Sequence, residues 1–247
     1  MQPNYLLGID GCKYGWFAFI KHNATLTYHL FERLTCIEAL ISKDGLAFID
    51  MPIGFPNANE GYRLCDKLAR QFLPGRAASI FPVPCKAALY APNYTAACQI
   101  NQQVTGKRFP IQSWYILPKI RELDEVLAKQ NKLPTHKVHF IESHPELIFA
   151  GLAGQPMQFS KASVAGRSER LTLLKELAAQ DVDLLEQALS EVPKKHAKAD
   201  DIIDAFVLMY AASQQQQWQF LPSEADRDSY GNPRQIAFIT KPTRLKN

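Results

Sequence analysis

The chain has 247 residues, 47% of them hydrophobic and 21% charged, which suits one large domain or one domain with a sizeable insertion and excludes wholesale disorder. A formal net charge of +4 permits a polyanionic partner without demanding one. Five cysteines at irregular spacing, with no CxxC pair, exclude a disulfide framework or a zinc site as the expected reading and point to a reducing compartment. No apolar run approaches the roughly 20 residues needed to span a bilayer. The opening Met1-Gln2-Pro3-Asn4 lacks the basic region and apolar core of a secretion signal, so a cytoplasmic location is expected.

Residues 5–10 read as a short buried strand ending in Asp10. The runs 16–21 and 25–31 are strand-like and joined by a short turn at His22-Asn23-Ala24, which predicts an antiparallel three-stranded meander. Apolar positions at Leu34, Ile37, Leu40 and Ile41 predict a helix over 32–42. Residues 46–50 then form a second buried strand that closes on an acid, Asp50. The next comparable strand, 138–142, closes on Glu142. Residues 51–136 between them are too many for a connector. With helical runs at 60–72 and 111–130 around a proline-rich stretch, they predict a largely helical insertion or cap. The remainder reads as helices over 144–152, 167–179, 182–190 and 198–213, with a late edge strand at 235–240. The whole is an α/β chain: three antiparallel strands, then parallel strands reached by crossovers, flanked by helices. That opening order is the order of a ribonuclease H-like sheet.

Acids at strand ends are where such folds build sites. Asp10 lies in Gly8-Ile9-Asp10-Gly11, which equally suits a turn-forming Asp-Gly. Asp50, followed by Met51-Pro52, cannot be a hairpin turn of that kind, although an Asp capping a loop would also fit. Glu142 runs into Ser143-His144-Pro145-Glu146, where Ser143 and Glu146 fit a capping box, leaving Glu142 free as a ligand. Asp201 and Asp204 are three apart on the last helix, so they share a face with Ala205, Leu208 and Ala212. Asp200 and Asp201 suit a helix N-terminus, whereas Asp204 stands among apolar residues and needs a partner. Two like charges about 4 Å apart repel by roughly 4 kcal/mol at an effective dielectric near 20. A converging cluster must therefore take up protons or bind cations. Hard carboxylate oxygens suit Mg²⁺ or Mn²⁺, and a two-ion phosphodiester hydrolysis is the expected chemistry. Basic residues gather around Arg63, Arg70 and Arg76, and again at Lys161, Arg167 and Arg170. They read either as solvated surface or as a phosphate-backbone track on a nucleic acid.

These blocks resemble the domain of unknown function four-two-nine family, described as predicted ribonuclease H-like nucleases. The resemblance runs through Gly8-Ile-Asp-Gly-Cys-Lys-Tyr-Gly-Trp16, Asp50-Met-Pro-Ile-Gly-Phe-Pro56, Arg63-Leu-Cys-Asp66 with Ala69-Arg70, and Gly75-Arg76 with Ser79-Ile-Phe-Pro-Val-Pro84. It continues through Glu142-Ser-His-Pro-Glu146, Lys161 with Gly166-Arg167-Ser-Glu-Arg170, and Asp201-Ile-Ile-Asp-Ala205. It implies metal ligands at Asp10, Asp50 or Glu142, Asp201 and Asp204. Lys13-Tyr14 stands where the family more often has Arg-Gly, which would crowd the start of the hairpin. Two alternatives share the core: a nucleotide-binding phosphotransferase of the actin/sugar-kinase type, and a non-catalytic nucleic-acid- or partner-binding module. The first normally needs a second copy of the core, and none is found in the sequence.

Overall fold

The computed structural model describes residues 3–41, 44–130 and 138–241. Strand β1 (Tyr5–Gly11) pairs antiparallel with β2 (Trp16–His22), and β2 with β3 (Thr25–Phe31). Asn23, at positive φ in the two-residue loop, supports the tight β2–β3 turn. Strand β4 (Gly45–Ile49) pairs parallel with β1, and β5 (Val138–Glu142) parallel with β4. The order β3-β2-β1-β4-β5 makes β1 the central strand of a mixed sheet. Its residues Leu7 and Ile9 share one face and Gly8 and Asp10 the other, and all four are buried, as a strand covered on two sides requires. The helix expected over 32–42 is a 3-10 helix, Leu34–Ala39, because its two buried residues, Leu34 and Ile37, are three apart. Residue 42 lies outside the described residues.

After β5 come α4 (Pro145–Ala153), α5 (Val164–Leu177), α6 (Val182–Glu191) and α7 (Ala199–Ser213). Helix α7 is buried on nearly every side and packs across β1, β2 and β4. Phe206 meets Phe19 of β2 edge-on, with ring centroids 5.1 Å apart. The approach to β1 depends on Gly8, where an added Cβ would stand 2.0 Å from the Met209 backbone nitrogen and 2.2 Å from the Ala205 carbonyl oxygen. Only a residue without a side chain admits the helix backbone this closely.

The expected capping box at α4 is replaced. His144 is the N-cap and its Nδ1 accepts from the Glu146 amide at 3.2 Å, while the Ser143 hydroxyl donates to the Ala237 carbonyl. The late strand is also reassigned. β7 (Pro233–Ile239) pairs with β6 (Trp218–Arg227) in a separate two-stranded sheet, and Ala237 of β7 forms a parallel bridge with Ser143, the residue after β5. Pro222 inside β6 conceals that strand from sequence reading, since proline removes a ladder donor.

The chain divides into two compact units, one of Met1–Asp50, Leu133–Gln219 and Ala237–Asn247, the other of Met51–Lys132 and Phe220–Ile236. The second unit contains α1 (Leu64–Phe72), α2 (Tyr94–Thr105) and α3 (Ile111–Gln130). Residues 131–136 of the expected insertion lie outside the described residues. Helix α2 went unanticipated, although Asn93 caps its start by accepting from the Ala96 amide and Gly106 ends it in the left-handed region. Within this unit Arg234 is buried against Glu60 and Asp226. No helix among the described residues is long and apolar enough to cross a membrane.

Candidate metal centre

Three carboxylates meet where β1 and β4 end and α7 crosses them. The Asp50 amide donates to the Ile9 carbonyl at 3.0 Å, which carries the parallel pairing one step past β4 and sets Asp50 level with Asp10. Asp204 reaches the same place from α7, on the side where Gly8 admits the helix. One carboxylate oxygen from each of Asp10, Asp50 and Asp204 lies within 4.8 Å of the others. Asp10 and Asp204 are buried and Asp50 is half-buried. Lys161 donates from Nζ to Asp204 Oδ2 at 2.6 Å. The other oxygen, Asp204 Oδ1, is fully buried and accepts no hydrogen bond from any described residue. A buried carboxylate oxygen left without a partner is costly, and beside two more acids it fits a cation. The donor set is all oxygen, suited to a hard divalent ion.

The electrostatics follow from this crowding. Burial pushes the Asp10 carboxyl well above its usual range, and the charges of Asp50 and Asp204 push it further, with Lys161 opposing. Burial likewise carries Asp204 up to about 6; Lys161 opposes this, and Asp50 and Glu146 add to it. For Lys161 burial acts downward, but Asp204, Asp10 and Asp50 outweigh it, so its ammonium lies above the ordinary lysine value. One ammonium against three carboxylates leaves the group negative.

The sequence pattern of a family described as "Protein of unknown function (DUF429)" matches residues 8–227. The chain belongs to this family. The DUF429 match takes in Asp10, Asp50, Lys161 and Asp204. Neither a curated protein nor a solved structure matches the chain.

Other residues that suggested the site within the DUF429 match fall elsewhere. Glu142 is buried at the end of β5 but is not in the triad. It stands level with Ile49, and Ile49 with Ile9, one residue short of Asp50 and Asp10. Side chains alternate faces along a strand, so Glu142 belongs to the opposite face. Asp201 serves the start of α7, its Oδ2 accepting from the Lys198 amide at 2.8 Å. Its charge still reaches Asp10 and adds to the upward push there. Sequence reading missed Glu146, which it gave to a helix cap. Glu146 is instead buried and paired with Arg170 at 2.5 Å, near enough to raise Asp204. The signal available was a Glu and an Arg in neighbouring motif blocks, each followed directly by a leucine.

The basic residues also divide. Arg170 is buried, with its guanidinium on Glu146, on the Gly166 carbonyl and over the Phe149 ring. In the second unit, Arg63 is buried and binds Asp66 through both Nε and Nη2 while Nη1 donates to the Ile53 carbonyl. Both arginines are thus committed inward, contrary to the expected phosphate track. Arg70 donates to the Ile80 carbonyl, and Arg76 is half-buried ahead of a short 3-10 helix, Ala77–Ser79. Arg167 is half-buried and lines a cavity of about 440 Å³ with Leu171, Leu189, Lys194 and Ile203. Tyr14 does not crowd the hairpin: it is 45% exposed and its ring lies against His196.

Proposed function

We propose that the five-stranded core is ribonuclease H-like and that the protein hydrolyses nucleic-acid phosphodiester bonds with Mg²⁺ or Mn²⁺. The observation that carries this reading is the triad of Asp10, Asp50 and Asp204 with one fully buried, unpartnered oxygen. The strand order and the placement of two acids on adjacent parallel strand ends support it. Asp10, Asp50 and Asp204 would hold the metal. When bound, a divalent ion supplies an activated water and compensates charge on the phosphoryl oxygens. Three carboxylates leave open positions in a six-coordinate shell, room for substrate oxygens and water; a second ion would draw on the substrate phosphate. Asp10, on the central strand, would hold the ion that in turn binds the phosphate. Asp50, the most accessible of the three, faces the solvent side from which a strand would approach. Lys161 and Arg167 would serve phosphate oxygens, Lys161 as a point charge and Arg167 as a planar fork. A reducing, cytoplasmic setting belongs to the same proposal, in keeping with five cysteines at irregular spacing.

The test is a cleavage assay on single-stranded, duplex and branched DNA and RNA, with Mn²⁺ or Mg²⁺ and with chelator. Metal-dependent cleavage by the wild type, lost in Asp10→Asn, is the expected result. Cleavage that Asp10→Asn leaves unchanged would refute the assignment.

A further inference from the structure

Lys161 stands out among the described cations of the first unit because it is inside the carboxylate site and yet partly exposed to solvent. Its Nζ lies 2.6 Å from Asp204 Oδ2, yet its side chain is 41% exposed. It sits in the turn before α5, ahead of the Ser163 N-cap, so its stem can swing into solvent without disturbing a helix or strand. Arg170 shows the contrast. Its side chain is 2% exposed and is held by Glu146, a backbone carbonyl and an aromatic face, so it cannot move without opening the core.

A divalent ion gathered by Asp10, Asp50 and Asp204 would compete with the ammonium for the charge of Asp204, whose Oδ2 the ammonium holds. It would also stand within a few ångströms of a like charge, in a site where burial strengthens the repulsion. Asp204 Oδ1 accepts no hydrogen bond from any described residue, so this carboxylate would keep an oxygen for an ion while Lys161 holds Oδ2. A lysine ammonium is a compact, strongly hydrated point charge on a flexible stem, suited to transfer between partners.

We propose that Lys161 is an exchangeable internal cation. It neutralises Asp204 while the site holds no divalent ion, gives up that contact when one binds, and then turns outward to a substrate phosphate. Metal loading and substrate binding are thereby coupled, since the ion that completes the site also releases a phosphate ligand. The inference rests on the metal-centre reading above.

Two measurements test it. In calorimetric titrations with Mn²⁺ at pH 7.5, Lys161→Met should bind the ion at least about tenfold more tightly than the wild type. Its metal-free melting temperature should be lower, because Asp204 has lost its counter-charge. On the wild-type protein, acetic anhydride labelling of Lys161, quantified by mass spectrometry, should rise several-fold when Mn²⁺ is added. Equal or weaker Mn²⁺ binding by Lys161→Met, or labelling that ignores Mn²⁺, overturns the exchange. If both chains bind Mn²⁺ equally, only the exchange falls. If neither binds it, the metal centre itself falls, and the exchange with it.

Discussion

At the residue scale, burial and crowding by other acids oppose the charged forms of Asp10 and Asp204. Asp10 is raised by burial and by its acidic neighbours, so Asp10→Asn should make the metal-free protein more stable, by about 2–6 °C in melting temperature. The same substitution should abolish the response to Mn²⁺. A thermal melt with and without metal checks both; a destabilised Asp10→Asn protein would contradict the crowding. The pH dependence has a definite sign. Both folded-state pKa values lie above those of the unfolded chain, so in the metal-free protein these acids cost nothing below about pH 4. Stability is lost as they ionise, through about 6 for Asp204. Bound metal removes that penalty and must displace the protons to do so. The Mn²⁺-induced gain in melting temperature should therefore be larger at pH 7.5 than at pH 5, and calorimetry near pH 6 in buffers of different ionisation enthalpy should register proton release. An equal gain at the two pH values would argue against these carboxylates as the ligands.

At the element scale, the site exists because α7 can lie against β1. Gly8→Ala would drive a methyl into the Met209 and Ala205 backbone, so the helix must lift. We expect a loss of about 3 kcal/mol or more, seen in denaturant melts, together with loss of Mn²⁺ binding although no ligand is altered. The Glu146–Arg170 pair ties α4 to α5 beside Asp204. Breaking a buried pair from one side leaves a charge stranded, so Arg170→Met should cost about 3–5 kcal/mol. Removing both charges together, Glu146→Met with Arg170→Met, should cost clearly less than the sum of the single changes, which a double-mutant cycle would read directly. Additive costs would mean that the two side chains do not act as a pair. The strand and helix pattern was largely legible at this scale. Acids closing apolar runs marked β1, β4 and β5, and the apolar face of 198–213 marked α7. What escaped was β6, interrupted by Pro222, and α2, whose caps were present but whose apolar period is weak.

For the whole molecule, the proposed metal binding would be linked to folding, because the candidate ligands Asp10, Asp50 and Asp204 meet only in the folded chain. Mn²⁺ at a hundred times its dissociation constant should add about 2.7 kcal/mol of stability. For a chain of this size that corresponds to a rise of roughly 5–10 °C, measurable by differential scanning fluorimetry. A rise in the wild type that persists in Asp204→Asn would place the ion elsewhere.

Most of the element order, and five candidate acids that include Asp10, Asp50 and Asp204, were legible in the sequence, because strand period, helix period and an acid among apolar residues are local patterns. Whether an acid joins the site depends on pairing register over long separations, which local pattern does not encode. A level of one residue puts Glu142 on the far face of the sheet, while Asp10 and Asp50 share the near one. The partners of the basic residues are likewise a tertiary matter: a buried guanidinium must find an acid or carbonyls wherever the fold brings them. That requirement turned Arg63 and Arg170 inward and left Lys161 at the edge of the carboxylates.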